Sequence, residues 1–381
     1  MIYFDNSATT KPYREVIDTF VKVNEEYYAN PSSLHHLGGQ AERLLLQSRK
    51  QIASLIGVDP DELIFTSGGT ESNNLALKGA AFQYKTRGNH IITTKVEHPS
   101  VIKACEWLEE NGYRISYLPV DENGRVKVQD LEQEICEKTI LVSVMHVNNE
   151  IGVIQPIKEI GELLKKYPKV LFHVDDVQGR GKVPLDMKKA GIDLCSFSAH
   201  KFHGLKGTGF LYVSKGVKLS PVLSGGGQEG GVRGGTENTA GIAAAAKALR
   251  LYEEKRVHRL DKLKEIHAYL RQKIAVIENA VIHTPADHYA PHILNFSIEG
   301  IRGEVLLHAL EEENIYVSTT SACSSKQRKP SQTLLALGVP DVQAEGSLRV
   351  SLSYDNTMEE AKEFIQILNR ILPTLAKAAR R

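Results

Sequence analysis

The sequence predicts an α/β protein in which helices cover both faces of a large, mostly parallel sheet. Three segments carry the same order of strand, turn and helix: "ELIFTSGGTESNNLALKGAAFQY", "NHIITTKVEHPSVIKACEWLEENG" and "TILVSVMHVNNEIGVIQPIKEIGELLKKY". Three short apolar segments follow, "VLFHVD", "LCSFSAH" and "GTGFLYVS". Such alternation is typical of parallel sheets, since a crossover between parallel strands usually contains a helix. Ligands bind at the carboxyl ends of such strands, so the residues after each strand are candidates for a functional site.

The pattern changes near Asn238 to long helical segments, "TAGIAAAAKALRLYEEK" and "VHRLDKLKEIHAYLRQKIAVI". A smaller unit follows, with "ILNFSI", "GEVLLHALEEE", "NIYVST" and "SLRVSLS", and a closing helix that starts near Asn356. A chain of 381 residues is long enough for two domains. We predict a large domain over residues 15–255 and a small domain formed by residues 1–14 and 256–381.

Composition and charge favour an ordinary globular protein. Hydrophobic residues make up 41% of the chain, and 47 Lys and Arg residues balance 46 Asp and Glu residues. This balance gives no electrostatic case for binding nucleic acid or a membrane surface. The first residues, "MIYFDNSATTKP", lack the features of a secretory signal, and no apolar run reaches the roughly 18 residues of a spanning helix. We therefore expect a cytoplasmic protein.

The four cysteines form neither a CxxC pair nor a group with zinc-ligand spacing. Cys105 and Cys136 fall on helix-like patterns and Cys195 on a strand-like one, so we expect these three thiols to be buried or half-buried. Cys323 differs from them. It lies in "YVSTTSACSSKQRKPSQ", among hydroxyl and basic residues and without any core pattern.

The first candidate site is the turn in "FTSGGTESNN", between a strand and a helix. Gly68 and Gly69 let the backbone approach an anion closely, and Thr70 adds a hydroxyl to the free amides of the first helical turn. The turn matches neither of the common glycine-rich nucleotide motifs. A plain turn between strand and helix is the alternative.

The second candidate is the pair of acids that ends the strand in "FHVDDVQG". A carboxylate at the end of a buried strand is costly unless it meets a cation. The pattern leaves open whether Asp175 or Asp176 is that group. The alternative is that one acid simply caps the next helix.

The third candidate is "SFSAHKFHGLKGTGFLYV", where Ser198, His200 and Lys201 follow a strand. A lysine held at a strand end, near an anion site and a carboxylate, suggests Schiff-base chemistry. The alternative is a solvated loop lysine. No carboxylate or thiol completes a metal-ligand set with the histidines, so we expect no metal site here.

These three segments together provide what pyridoxal phosphate (PLP) requires, namely a phosphate cup, an acid for the pyridine nitrogen and a lysine. Other strand ends add polar groups to the same edge of the sheet. "VEHPSV" places His98 where an imidazole can stack on the ring or shuttle a proton, and "MHVNNEIG" supplies Asn148 and Asn149. In "RVSLS", Arg349 is suited to a bidentate grip on a substrate carboxylate.

The motifs resemble, nearly end to end, those of cysteine desulfurases of the NifS/IscS type, which have the class V aminotransferase fold of PLP enzymes (fold type I). The matching segments are "YFDNSATT", "NPSSLHHLG", "FTSGGTESNN", "EHPSV", "MHVNNEIGVIQPI", "HVDDVQ", "SFSAHKFHGLKGTG", "RGGTEN", "SACSS" and "LRVSLS". The pair "SAHK" and "SAC" is the most specific. Asp176 departs from the family pattern, which has a small residue there.

The resemblance implies a role for each matching residue. Lys201 would carry PLP, Asp175 would pair with the pyridinium nitrogen, and Cys323 would be the nucleophile. His98 would stack on the ring and Gln178 would bind the ring hydroxyl. The phosphate would be held by Gly69, Thr70, Ser198 and His200, with Thr236 reaching the phosphate of the neighbouring subunit in a homodimer. The substrate amino acid would be bound by Asn149 and Arg349.

The implied activity is removal of sulfur from L-cysteine, giving alanine and a persulfide on Cys323. The persulfide would pass to a sulfur-acceptor protein that serves iron–sulfur clusters, tRNA thiolation or thiamine synthesis. Three alternatives stay open at this point. They are a selenocysteine lyase or aminotransferase of the same fold, a non-catalytic sulfur relay on an inactive PLP fold, and a metal-dependent hydrolase.

Overall fold

The computed structural model of the protein describes residues 1–319 and 330–379. Within them the strands are β1 (Ile2–Tyr3), β2 (Leu63–Thr66), β3 (His90–Thr94), β4 (Arg114–Leu118), β5 (Thr139–Met145), β6 (Leu171–Asp175), β7 (Leu194–Ser198), β8 (Gly209–Val213), β9 (Ala280–Ile282), β10 (Ile293–Ile298), β11 (Ile315–Tyr316), β12 (Ser318–Thr319) and β13 (Ser347–Ser351). The α-helices are α1 (Arg14–Glu26), α2 (His36–Ile56), α3 (Gly69–Gln83), α4 (Pro99–Glu110), α5 (Val128–Glu134), α6 (Ile157–Leu164), α7 (Thr239–Ala275), α8 (Gly303–Glu312), α9 (Gln332–Ala336), α10 (Asp341–Glu345) and α11 (Met358–Ala379).

The large sheet has seven strands in the order β2-β8-β7-β6-β5-β3-β4. Strands β3 to β7 pair in parallel, and β8 runs antiparallel to both of its neighbours. Every residue of the central strands β5, β6 and β7 is buried. Helices must therefore cover both faces of the sheet, which is why these strands are apolar rather than alternating in sequence. The predicted mostly parallel α/β architecture is confirmed.

Helix α7 is one continuous helix of 37 residues. The sequence analysis predicted two helices here, and that detail is wrong. The segment "YEEKRVHRL" contains no glycine, proline or capping residue that would end a helix, so the helix continues through it. The helix packs on α1 and α2 near its start and on α11 and β9 further along. The predicted boundary at residue 256 falls inside this helix, and the two-domain division stays a prediction.

A second sheet, antiparallel and in the order β12-β13-β10-β9, contains the strand that carries Arg349. The N-terminal strand β1 pairs with β11, and Asp5 then forms a bridge with Ser351 at the end of β13. The amides of Asn6 and Phe4 continue this pairing, since they donate to the carbonyls of Ser351 and Tyr316. The first residues of the chain are thereby fixed between the two sheets.

The cysteines differ in part from expectation. Cys105 and Cys195 are buried, on α4 and β7, as predicted. Cys136 is exposed and follows the end of α5 (Val128–Glu134), because that helix stops before it. No helix among residues 1–319 and 330–379 is long and apolar enough to cross a membrane. The same ranges contain no group of three or more His, Cys, Asp or Glu side chains arranged to hold a metal ion.

Candidate active site

A cavity of about 1480 Å³ opens at the carboxyl ends of the parallel strands. The sheet topology explains its position, since neighbouring parallel strands end at the same edge. Ten of the residues singled out from the sequence line this cavity: Gly69, Thr70, His98, Asn149, Asp175, Gln178, Ser198, His200, Lys201 and Arg349. Residues far apart in the sequence, from Ser7 in the N-terminal segment through Lys201 to Arg349, thus share one space.

Lys201 lies in a single 3-10 turn, Ala199–Lys201, directly after β7. Its Nζ donates to the main-chain carbonyls of Ser7 and Ala8, the latter at 2.9 Å. The N-terminal segment therefore forms one wall of the cavity around the amine. Sequence reasoning matched "YFDNSATT" to the family but gave it no role. The feature of this segment that points to a role is its run of small and hydroxyl residues. Such a run suits a backbone that passes close to a functional group.

The two acids at the end of β6 have different partners. Asp175 faces the cavity, where Oδ2 accepts from Asn73 Nδ2 at 2.7 Å and Oδ1 accepts from the Val177 amide at 3.0 Å. Asp176 is buried and forms a 2.6 Å contact with Nδ1 of the buried His146. The structure thus gives Asp176 a partner that the sequence did not reveal.

A polar chain connects Asp175 to His98, which is the N-cap residue of α4. The second Nδ2 hydrogen of Asn73 is donated to Ser100 Oγ at 2.8 Å, and that hydroxyl contacts His98 Nδ1 at 2.8 Å. The Ser100 amide also donates to Nδ1, so Nδ1 is an acceptor and the ring proton lies on Nε2. Burial lowers the pKa of His98, although the charge of Asp175 opposes this shift. The imidazole is therefore neutral near pH 7.

The glycine turn before α3 forms a second, smaller pocket with Ser198 and His200. Gly68 has φ of 148°, and a Cβ on Gly69 would lie 2.8 Å from Val177 Cγ2. Larger residues would therefore fill the space in front of the α3 N-terminus. Free amides at a helix N-terminus favour an anion. Burial and the Lys201 charge lower the pKa of His200 to about 3, so this imidazole donates or accepts as a neutral group.

Arg349, on β13, is nearly fully buried and lines the cavity. It donates through Nη1 to the Asn149 carbonyl at 2.7 Å and through Nη2 to Asp5 Oδ1 at 3.1 Å. Gln178 is also buried, and its Nε2 donates to the Ser7 carbonyl at 2.9 Å. Among the described residues, Gln178 Oε1 has no hydrogen-bond partner. Each of the two side chains thus keeps a hydrogen-bonding group that could serve a ligand.

Two carboxyl groups of the cavity were missed by sequence reasoning. Glu97 is buried, and burial raises its pKa to about 8. Its Oε1 accepts from the Met145 amide and the Thr94 hydroxyl, both at 2.9 Å. Burial also raises the pKa of Glu150, which accepts from the hydroxyl of Ser331. Neither acid stands out in the sequence, because each is one polar residue beside more conspicuous motifs.

One predicted site residue does not line the cavity. Thr236 is exposed, in the segment before α7, and it lines neither pocket. Cys323 lies outside the described residues. The chain on either side of it is described, and both flanks lie at the site. Ser318 on β12 pairs with Arg349, and Pro330 and Ser331 line the cavity.

The sequence matches the aminotransferase class-V family over residues 2–364. A NifS/IcsS protein homolog from Lactobacillus delbrueckii subsp. bulgaricus is 50% identical over 99% of this chain and 98% of that protein. A protein named cysteine desulfurase IscS from Dictyoglomus turgidum is 43% identical over 98% of this chain and 95% of its own length. Both relatives therefore align with essentially the whole protein.

Solved structures give the same result. A NifS-like protein superposes with a TM-score of 0.92 at 38% identity, covering 98% of this chain and all of that one. The structure of SspA in complex with cysteine has a TM-score of 0.80 at 31% identity, covering 93% of this chain and 99% of that chain. The chain belongs to the aminotransferase class-V family, among relatives named as cysteine desulfurases of the NifS/IscS type.

Proposed function

We propose that the protein is a PLP-dependent cysteine desulfurase that converts L-cysteine to L-alanine and leaves the sulfur as a persulfide on Cys323. The observation that carries this proposal is the cavity itself. Lys201, Asp175 and the glycine turn face Arg349 across one space, and both described flanks of the Cys323 segment reach its wall. An amine, a carboxylate, an anion cup and a guanidinium are what the reaction of an amino acid on PLP requires.

The residues present fit PLP on several counts. Asp175 offers a buried carboxylate that Asn73 and the Val177 amide hold in place, suited to a protonated pyridine nitrogen. The unpartnered Oε1 of Gln178 leaves an amide atom for a ring substituent. Gly69 keeps the phosphate cup open, since a Cβ there would contact Val177. PLP, when bound, would supply an electron sink for the bond changes at the substrate Cα and Cβ.

Three side chains of the cavity would then have separate roles in the reaction. Arg349 binds the substrate carboxylate and thereby fixes which bond of Cα faces the amine. Lys201 Nζ would take the Cα proton of the substrate and could return it. His98, neutral and with its proton on Nε2, covers the cofactor site from the α4 side. Its orientation is kept by the hydrogen bonds from Ser100.

Cys323 would complete the reaction as a thiolate. Its Sγ attacks the substrate Sγ, so that a sulfur–sulfur bond forms while the Cβ–Sγ bond breaks. Cβ keeps the electron pair of the broken bond and takes up a proton, which gives alanine. The persulfide would then transfer its outer sulfur to an acceptor protein. That acceptor would serve iron–sulfur clusters, tRNA thiolation or thiamine synthesis, and a cytoplasmic location stays a prediction.

The test replaces Cys323 with serine and, as a matched control, replaces Cys136, the exposed thiol that follows the end of α5, with serine. With L-cysteine and a reductant, we expect Cys323→Ser to lose sulfide and alanine production by about a hundredfold or more, as expected when a covalent nucleophile is removed. Cys136→Ser should match the unmodified protein. If Cys323→Ser retained full activity with cysteine, an aminotransferase or lyase mechanism would replace this proposal. A protein that bound no PLP would instead indicate a non-catalytic sulfur relay.

A further inference from the structure

Arg349 is a buried cation. Within the described structure, one carboxylate lies close enough to form an ion pair with it. The Arg349 side chain is 5% exposed, and the Asp5 carboxylate forms the ion pair at 3.1 Å. Nη1 is already used by the Asn149 carbonyl. Nε has no hydrogen-bond partner among the described residues. The guanidinium therefore keeps donor capacity that the described residues do not use, while one of its nitrogens is bound to Asp5.

Asp5 is held in place from both sides. Its backbone forms a bridge with Ser351, and Ser318 donates a side-chain hydrogen bond to its carboxylate. Its side chain is 20% exposed. Burial raises the pKa of Asp5, while the charges of Arg349 and Lys201 oppose that rise. The backbone bridge and the Ser318 hydroxyl thus hold the carboxylate beside Arg349.

A substrate carboxylate that binds Arg349 meets this second anion close by. Like charges in a partly desolvated site repel by amounts large enough to change affinity measurably. We propose that Asp5 is the resident counterion of Arg349 and that it lowers the affinity of the site for the substrate carboxylate. Asp5 is a positioning residue in this scheme, since it acts through Arg349. The inference rests on the proposed role of Arg349 in substrate binding.

The consequence is useful for an enzyme that must release its product. Alanine carries the same carboxylate as cysteine, so an unopposed guanidinium would hold product and substrate alike. A resident anion weakens both and preserves the orientation of Arg349 while the site is empty. Substitution of Asp5 by Asn keeps an oxygen that can accept from Nη2 and removes only the charge.

The test measures binding of butyrate to the full-length protein as purified with its cofactor. Butyrate has the carboxylate and a chain of similar length to cysteine, but no amine or thiol that could react with Lys201 or Cys323. We expect Asp5→Asn to bind butyrate about tenfold more tightly by calorimetry, the scale of removing one like charge near a ligand. Asp5→Ser should change affinity in the same direction. Asp18→Asn, which removes an exposed carboxylate on α1, should leave it unchanged.

Turnover gives a second readout. Asp5→Asn should lower KM for L-cysteine several-fold, and alanine should inhibit the variant more strongly than the unmodified protein. Equal butyrate affinity in both proteins would overturn the counterion role and leave the desulfurase proposal intact. Weaker binding to folded Asp5→Asn would also overturn it, since Asp5 would then help rather than oppose the ligand. If butyrate bound neither protein, the role of Arg349 itself would be wrong, and the inference would fall with it.

Discussion

A single asparagine side chain links the groups on two different strand ends. Asn73, on α3, donates one Nδ2 hydrogen to Asp175 and the other to Ser100, which in turn contacts His98. The carboxylate and the imidazole are therefore positioned by one amide. The sequence shows Asn73 only as part of "TESNN", where nothing distinguishes it from the half-buried Asn74 beside it. Its importance comes from the direction in which its helix points it.

Glu97 provides a prediction at the residue scale. Its pKa is raised from 4.5 to about 8 in the folded protein. At a pH below the pKa of the unfolded state, 4.5, the carboxyl is protonated in both the folded and the unfolded protein. Its contribution to the free energy of unfolding is therefore fully present at such a pH. As pH rises toward about 8, the unfolded chain ionises first and that contribution is lost. We expect the urea midpoint to fall less between about pH 5 and about pH 8 in Glu97→Gln than in the unmodified protein.

The control for this measurement is Glu25→Gln, an exposed carboxyl on α1. It should follow the unmodified protein at both pH values. Glu97→Gln retains an oxygen for the Thr94 hydroxyl and the Met145 amide, so its fold should persist. An identical decline of the midpoint in Glu97→Gln and in the unmodified protein would show that Glu97 ionises normally in the folded state.

At the scale of elements, the shape of the glycine turn after β2, the proposed phosphate cup, depends on how closely β8 approaches it. A Cβ on Gly209 would lie 2.5 Å from the Gly68 Cα and 2.6 Å from the Phe197 carbonyl oxygen. Both neighbours are backbone atoms, which cannot move aside as a side chain does. We expect Gly209→Ala to destabilise the protein by about 1–3 kcal/mol, as overpacking does, and to weaken PLP affinity because Gly68 must shift.

Gly39→Ala is the matched control, because a Cβ there meets only Arg43 at 3.6 Å. Gly39 lies within α2, so alanine should stabilise the helix by up to about 1 kcal/mol. Urea unfolding and PLP titration of both variants provide the comparison. Normal PLP affinity in Gly209→Ala would mean that the strand spacing does not determine the cup.

At the scale of the whole molecule, the homodimer prediction can be tested by mixing inactive subunits. Thr236→Glu should prevent PLP binding in the partner, because a carboxylate would face the phosphate. In the Lys201→Ala subunit, the active site that contains the substituted residue should be inactive. In a mixed dimer, one site combines Lys201 of the first variant with Thr236 of the second. Denaturing and refolding the two together should restore about a quarter of full activity, as random pairing in a twofold dimer predicts.

Each variant refolded alone is the control, and each should remain inactive. If mixing restored nothing while sedimentation showed dimers, Thr236 would not act across the interface. The segment that carries Thr236 is well anchored in its own subunit, which favours a defined position. Glu229 accepts from Arg49 and from the Phe65 amide at 2.9 Å, and Glu71 pairs with Arg233 at 2.8 Å.

The strands, the glycine turn and the polar strand ends were predictable because their patterns are local. Apolar runs and turn residues determine β5 to β7 and α3 without reference to distant residues. The partners of those groups were not predictable. Asp5 beside Arg349 and His146 beside Asp176 are contacts between distant segments, which only the packed fold brings together. The continuity of α7 was also not predicted. One part of this helix packs on α1 and α2 and another part on α11 and β9, so its two halves look like separate helices in the sequence.

The carbonyls of Ser7 and Ala8 accept hydrogen bonds from the Lys201 amine, which follows them by more than 190 positions in the sequence. Their own position is fixed much later in the chain, where the Asn6 amide and Asn6 side chain donate to the Ser351 carbonyl. Contacts this far apart form late in folding, because a long loop must close first. The pocket around the amine is therefore completed only once Ser351 has joined the N-terminal segment, and a chain in which that contact has not formed has no finished site in which to carry out chemistry.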